Sequence, residues 1–566
     1  MRNAVLLASA THAPLVSGNI YKDRMFQLTW FLALSFIIKQ TSCELYTALA
    51  DLKEVLHTES TLINSLDQYI QAEHKKLELL QKYSEIYKQQ HTEASEDIEN
   101  YIANPINAYI LIKRLTTDWQ HVESLMNMQL GHDYLKNISM YREYLKFPTD
   151  EDLNGAAVAL TRLQDTYNLD TSALARGELN GIKYSSELSA ADCFELGRQS
   201  YNNGDFYHTQ LWMREADSRL NSETNKTVEK SDILEYLAFS TYKQGNLPLA
   251  LDLTNKLLEI FPAHPRALGN KGFYEEEMEK LNELKIKGDD ESEDIPINDE
   301  VFFSQMAPQV QYPERELYEQ LCRGEVTTDI AITSKLKCYY TNNNNPFLLI
   351  APFKVEEAYP NPKILIFHDV MSDSEIDTIK RMATPRFKRA TVQNYKTGEL
   401  ETAQYRISKS AWLKEKEHKH IDDVCRRVSD ITGLTVETAE ELQVVNYGIG
   451  GHYEPHFDFA RKEETNAFKS LGTGNRIATV LFYMSDVPQG GATVFPNINA
   501  AIWPKKGTAA FWYNLHPSGE GDFNTRHAAC PVLAGSKWVS NKWIHEQGQE
   551  FRRPCGLEQA PPELTA

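Results

Sequence analysis

The chain has 566 residues, 42% of them apolar and 24% charged, with Lys+Arg 59 against Asp+Glu 79 and a formal charge of −20. At roughly 150 residues per domain this is three or four folding units, and the apolar share is too high for disorder. The acidic excess excludes nucleic acid as the main partner and disfavours an anionic membrane surface, because both need a basic face.

The first predicted element is an apolar run, Met25 to Ile38, preceded by Lys22 and Arg24 and followed by Thr41-Ser42-Cys43. It is shorter than the roughly 20 residues of a membrane helix. It suits the core of a secretory signal cleaved near Cys43, so residues 1–43 are expected to be a leader. The residues ahead of Met25 make Met25 an alternative start. No later run is long and apolar enough to span a bilayer. An oxidising lumen would allow disulfides. Cys322 and Cys338 are near in sequence, as are Cys530 and Cys555, and each pair could close a local loop. Cys193 and Cys425 sit in helical runs and are expected to be unpaired. Asn137-Ile-Ser and Asn225-Lys-Thr are glycosylation sequons.

From Leu49 a heptad can be written. Leu49, Leu56, Ile63, Ile70 and Leu77 occupy a, and Leu52, Leu66, Leu80 and Tyr87 occupy d, with Glu59 and Glu73 interrupting the seam. Residues 44–148 are therefore expected to be long helices, packed in their own bundle or serving as a dimerisation element. Residues 149–278 are helical with an internal repeat. Cys193-Phe-Glu-Leu-Gly with Tyr201-Asn-Asn-Gly204-Asp echoes Leu234-Glu-Tyr-Leu-Ala with Tyr242-Lys-Gln-Gly245-Asn at an offset of 41 residues. A small residue, an aromatic and Gly-Asp/Asn before a second apolar helix is the tetratricopeptide pattern, here with an insert between units. Its tyrosines, Tyr201, Tyr207, Tyr236 and Tyr242 with Tyr167 upstream, would suit a groove for polyproline II peptides. Residues 279–359 read as a linker region, acidic at Gly288-Asp-Asp-Glu-Ser-Glu-Asp294.

Residues 360–566 read as β. Val444–Tyr447, Ala478–Tyr483, Ala509–Tyr513 and Lys537–Val539 are short, β-branched or aromatic, and bounded by Gly and Pro, as in a jelly roll. Here lies His456-Phe-Asp458. On a strand i and i+2 share a face, so imidazole and carboxylate can reach one ion. With a distant second histidine they form the facial triad of non-haem Fe(II) oxygenases. With 16 histidines, about one such match is expected by chance. His420-Ile-Asp422 is one. It lies in a charged helical run, where i and i+2 diverge by about 200°. His516, His527 and His545 compete to be the third ligand. His527 opens an apolar strand, and a turn at Gly535-Ser536 would return Lys537 into the same barrel. A lysine buried there needs an anion, and a dicarboxylate cosubstrate would supply it. His527 is therefore preferred.

His456-x-Asp458, His527 and Lys537 stand within Tyr447-Gly-Ile-Gly-Gly-His-Tyr-Glu-Pro-His-Phe-Asp458, Gly490-Gly-Ala-Thr-Val-Phe-Pro496 and Trp538-Val-Ser-Asn-Lys-Trp543. With the tyrosine-rich repeat and the cysteine pairs, these closely resemble the α subunits of the collagen prolyl 4-hydroxylases over nearly the whole chain. The resemblance implies a double-stranded β-helix dioxygenase domain behind the two α-helical regions. It implies Fe(II) held by His456, Asp458 and His527. Lys537 would bind 2-oxoglutarate, with His545 and Tyr447 also at the cosubstrate, O2 as oxidant and ascorbate to rescue oxidised iron. The implied reaction is hydroxylation at C4 of proline in X-Pro-Gly sequences of collagen-like chains, with succinate and CO2 released. A self-dimer through the N-terminal helices, protein disulfide isomerase as β subunit of an α2β2 tetramer and the endoplasmic reticulum lumen are also implied. The C-terminal Glu563-Leu-Thr-Ala566 is not a retrieval signal, so retention would fall to the isomerase. His452 stands where the family is expected to have glutamine, and it is expected at the site entrance. The alternatives are a tetratricopeptide adaptor with an inactive barrel, which would have lost a ligand, and the same oxygenase class on another prolyl substrate.

Overall fold

The computed structural model describes residues 44–224, 226–287, 313–393, 400–464, 467–469 and 471–556. The expected leader with Cys43, Asn225 and the acidic run of the linker lie outside these residues. Leu49–Glu96 is one helix of 48 residues. Shorter helices, among them Trp119–Asn127 and Gly131–Tyr144, pack back on it through Tyr87–Trp119 and Tyr69–Tyr134 ring contacts. The face turned to them carries Thr58 and Ser65. The middle of the heptad stripe, Leu56, Ile63, Leu66, Ile70 and Leu77, faces outward, with Leu56 66% and Leu77 57% exposed, while Tyr87 at its end turns inward. Asn137 is exposed on the helix Gly131–Tyr144.

The repeat forms two helix pairs, Ala190–Asn202 with Phe206–Leu220 and Lys230–Lys243 with Leu247–Ile260, followed by Pro265–Lys287. Gly204 and Gly245 adopt positive φ between the paired helices. Asp205 and Asn246 then cap the second helices by accepting from the backbone N–H groups of His208 and Leu249. The long offset is accounted for by the connection between Leu220 and Lys230. Trp212, Met213, Ile233, Leu249 and Leu253 form the core between pairs.

The remaining chain is a two-sheet barrel. Nine strands pair in the order Cys338–Thr341, Phe353–Pro360, Lys363–His368, Ala509–Tyr513, Arg476–Tyr483, Trp538–His545, Leu442–Tyr447, Ser408–Leu413 and Lys388–Arg389. Tyr453–His456, His527–Ala529, Thr493–Phe495 and Ala500–Ile502 form the second sheet. Helices Asp373–Ala383 and Lys419–Thr432 cover one face of the large sheet, packing Ile376, Ile379, Ile421, Val424 and Val428 against Val444, Val480 and Phe482. Val445, Leu481, Phe495, Trp512 and Val539 make a second apolar cluster on these strands.

Two expectations are corrected. The barrel takes its first two strands, Cys338–Thr341 and Phe353–Pro360, from the end of the expected 279–359 linker region. Phe353–Pro360 carries Lys354, Glu356 and Glu357, which hid it as a strand. The disulfide joins Cys322 to Cys530, with Cα atoms 5.5 Å apart, and not Cys322 to Cys338 or Cys530 to Cys555. The helix Pro313–Arg323 lies on the small sheet, where Tyr318 and Leu321 pack with Ala492, Val494 and Ala528. That packing sets Cys322 beside Cys530, just past the strand His527–Ala529. Cys338 and Cys555 are free and exposed, while Cys193 and Cys425 are free and buried within helices as expected.

Candidate metal centre and cosubstrate cavity

Strands Tyr453–His456 and His527–Ala529 pair antiparallel, and the register sets His456 opposite His527. Asp458 follows just past the strand end. Its carboxylate oxygens lie 3.8 Å from His456 Nε2 and 3.6 Å from His527 Nε2. Among the described residues these three form the one cluster of candidate metal ligands, with ligand atoms within 4.8 Å of one another. The tautomers suit a metal. His456 Nδ1 lies 2.8 Å from the carbonyl of Glu454, and His527 Nδ1 lies 2.9 Å from the carbonyl of Thr525. A carbonyl only accepts, so each Nδ1 carries the proton and each Nε2 keeps its lone pair for the ion. Burial pushes the pKa of His456 well below the usual imidazole range, and neighbouring His527 adds to the shift. Burial pushes Asp458 upward, but His527, His456 and Arg476 outweigh it and hold the carboxyl at about 2. Two imidazoles, each with Nε2 turned to the other ligands, and one ionised carboxylate are the donor set of a facial Fe(II) site.

Thr479 donates to Asp458 Oδ2 at 2.7 Å, and Asn514 donates in turn to the Thr479 hydroxyl at 2.9 Å. Replacing Thr479 by valine should lower iron affinity about 10- to 100-fold with the fold intact, as loss of an orienting partner does. Competition with a colourimetric chelator measures this.

Lys537 occupies the same cavity, with Tyr447, Tyr453, Leu481, Trp512 and the three ligands. It is 1% exposed, and its ammonium lies 5.1 Å from the Tyr447 ring centre. Among the described residues no carboxylate pairs with it, and burial alone lowers its pKa to about 7. The turn at Gly535, with φ +94°, brings it in, as the sequence spacing predicts. Tyr453 stacks on His456 at 3.5 Å, and the Arg406 guanidinium lies 4.7 Å from the Tyr453 ring centre. Sequence reasoning missed Thr479, Tyr453 and Arg406. Thr479 and Arg406 carry no spacing signal because they reach the site from other segments, and Tyr453, on the strand of His456, reads as an ordinary strand aromatic.

His545 does not line this cavity. Its ring nitrogens face Glu440 at 3.0 Å and the Gly474 carbonyl at 2.8 Å, and Arg476 bonds the same Glu440. Through Glu440 it supports Arg476, whose guanidinium approaches the Asp458 carbonyl at 3.5 Å. His420 lies on the helix Lys419–Thr432 and contacts Thr378. His516 faces Asp522 in a turn. His452 is buried in a cleft with Arg162 and Tyr318 and does not line the cavity of the triad.

In the repeat, Tyr201, Tyr236 and Tyr242 join one half-buried aromatic row. Tyr201 contacts Tyr236 at 4.9 Å and Phe239 at 5.7 Å, and Tyr242 contacts Phe273 at 5.6 Å. Tyr207 is outside the row, against His208, and Tyr167 is buried under the barrel with its hydroxyl bonded to the Pro531 carbonyl. Of the five tyrosines expected to line a groove, three share this row.

Three family models match: "Prolyl 4-Hydroxylase alpha-subunit, N-terminal region" over residues 48–181, "Prolyl 4-hydroxylase peptide-substrate-binding domain" over 190–280, and "2OG-Fe(II) oxygenase superfamily" over 442–545. The chain is 49% identical to human prolyl 4-hydroxylase subunit alpha-1 over 538 residues, covering 94% of this chain and 100% of that one. It is 52% identical to Caenorhabditis elegans prolyl 4-hydroxylase subunit alpha-2 over 525 residues, covering 92% and 95%. Among solved structures, the viral collagen prolyl hydroxylase of Paramecium Bursaria Chlorella virus-1 matches at 25% identity and a TM-score of 0.25, over 32% of this chain and 94% of that one.

Proposed function

The chain belongs to the family of prolyl 4-hydroxylase α subunits, and from that membership we propose that it hydroxylates C4 of proline in X-Pro-Gly sequences of collagen-like chains. The family uses Fe(II) and 2-oxoglutarate. The observation that carries the reading is the cavity that combines a metal-ready triad with the buried Lys537, which no carboxylate among the described residues pairs. His456, Asp458 and His527 would hold the iron. Lys537 would take the distal carboxylate of 2-oxoglutarate, and Tyr447 would wall that end. Bound iron and 2-oxoglutarate supply the oxidising chemistry, in which O2 is consumed and succinate and CO2 are released. The apolar walls Leu481 and Trp512 exclude water from the reacting atoms. Ascorbate would restore iron oxidised in turnovers without peptide.

The aromatic row of the repeat would hold the proline-rich chain, since flat rings suit a preformed polyproline II helix. Alanine at Tyr201 and Tyr236 together should raise the KM for peptide about tenfold, as loss of stacking anchors does, and leave the KM for 2-oxoglutarate unchanged. The outward stripe of Leu49–Glu96 would pair two α subunits. Protein disulfide isomerase would complete an α2β2 tetramer and retain it in the endoplasmic reticulum lumen. No helix among the described residues is long and apolar enough to cross a membrane. The test is succinate release with a (Pro-Pro-Gly)-type peptide, with and without Fe(II). Release that needs both supports the reading; no release with iron bound and peptide present overturns it.

A further inference from the structure

The glycine run after Tyr447 is where the start of the chain's first helix meets the barrel. Leu45–Thr47 form one turn that leads into the helix Leu49–Glu96. The Tyr46 carbonyl accepts from the Ile449 N–H at 2.9 Å. A Cβ on Gly448 would stand 1.9 Å from that same carbonyl oxygen and 2.4 Å from the carbonyl carbon of Thr47. Gly448 has no left-handed φ, so it is glycine because another backbone crosses it. The segment is anchored at both ends. The N–H groups of Leu45 and Tyr46 donate to the Asp152 carboxylate. Asp51, 5% exposed, pairs with Lys409 at 2.6 Å and Lys146 at 2.8 Å.

Between these anchors the Ala50 N–H donates to Asn446 Oδ1 at 3.0 Å. Asn446 is fully buried on the strand Leu442–Tyr447, and its Nδ2 donates to the Lys537 carbonyl at 3.2 Å. The same carbonyl accepts from the Tyr447 N–H at 3.2 Å. An amide presents an acceptor on one side and donors on the other. The Ala50 N–H demands the oxygen, so the amide must turn its NH2 to Lys537. The crossing segment thereby fixes both the loop beside Tyr447 and the backbone that launches the Lys537 side chain.

We infer that Leu45–Asp51 is a strap through which the N-terminal helical region sets the affinity for 2-oxoglutarate, with Asn446 as the positioning residue between strap and Lys537. This rests on the reading that Lys537 binds the cosubstrate. The crossing at Gly448 gives a specific perturbation: Gly448→Ala suits its own backbone, and the three atoms its Cβ would meet first all belong to the strap.

The experiment measures full-length Gly448→Ala, Asn446→Ala, the double variant and Lys537→Ala. The KM for 2-oxoglutarate, kcat, the KM for peptide and iron content are read for each. Gly448→Ala and Asn446→Ala should each raise the KM for 2-oxoglutarate about threefold to tenfold, the size of one lost positioning hydrogen bond. The KM for peptide and the iron content should stay constant. The double variant should show no more than the larger single effect, because both act on one connection. If Gly448→Ala fails to fold, Asn446→Ala decides by the same readouts. An unchanged KM while Lys537→Ala raises it, additive effects, or a parallel loss of iron would overturn the strap. An unchanged KM in Lys537→Ala would overturn the cosubstrate reading and the strap with it.

Discussion

Replacing His456 by alanine should abolish succinate release, with or without peptide, and strip the protein of iron. The argument is one of donor number. Two imidazoles and one carboxylate would hold the ion, and each is fixed by a partner outside the set. Removing one leaves His527 and Asp458, two donors separated by 3.6 Å at their nearest atoms, too few for a three-point facial site. His527→Ala should behave alike. His420→Ala should not, because that imidazole lies on a helix against Thr378. The comparison separates a lost ligand from a lost histidine. Thermal melting should show the fold retained, since residues such as Val444, Val480, Phe482, Leu481 and Trp512 hold the sheets. Turnover that survives in His456→Ala with normal iron content would refute the triad.

Much of this site was legible because its chemistry follows strand arithmetic. His456 and Asp458 converge through their spacing, and ten residues with a glycine turn return Lys537 to the barrel that His527 enters. The helical repeat was equally legible, since Gly-Asp/Asn before an apolar helix states both the turn and the cap. What stayed hidden depends on contacts between distant segments. The Phe353–Pro360 strand reads as polar because Lys354, Glu356 and Glu357 break up its apolar residues, and it lies one strand in from the edge of the sheet. The partner of Cys322 is decided by a helix lying on the small sheet, not by sequence distance, so the near cysteine was the wrong one. Tyr167 and Tyr201 are the same residue type, but only helix orientation distinguishes a buried hydroxyl under the barrel from a ring in the aromatic row. His545 shares the strand Trp538–His545 whose start follows Lys537, yet sits at its far end, beyond the cavity. Thr479 and Asn446 carry no motif at all. Their importance arises only from what crosses beside them.

Replacing Lys537 by alanine should raise the KM for 2-oxoglutarate by about 30-fold or more, the effect of removing one member of a buried charge pair, while iron content stays normal. The same lysine explains a pH dependence. In the empty cavity burial lowers its pKa from 10.5 to about 7. Below that pH the ammonium is present to meet a carboxylate. Above it the empty site is neutral, and the proton must be recovered on binding. Apparent affinity for 2-oxoglutarate should therefore fall about tenfold per pH unit above 7, and the slope should vanish in Lys537→Ala. Stability follows the opposite sense. Between about pH 7 and 10 the unfolded chain binds a proton that the folded, empty enzyme lacks, so folding stability from this group rises with pH. Methionine at 537 fills similar space without a charge. It should raise the melting temperature of the cosubstrate-free enzyme at pH 6 and remove the contribution of this group to the pH slope. A variant that melts higher yet binds 2-oxoglutarate far more weakly would identify Lys537 as a charge kept for its ligand. A lower melting temperature with unchanged affinity would make it a structural lysine instead.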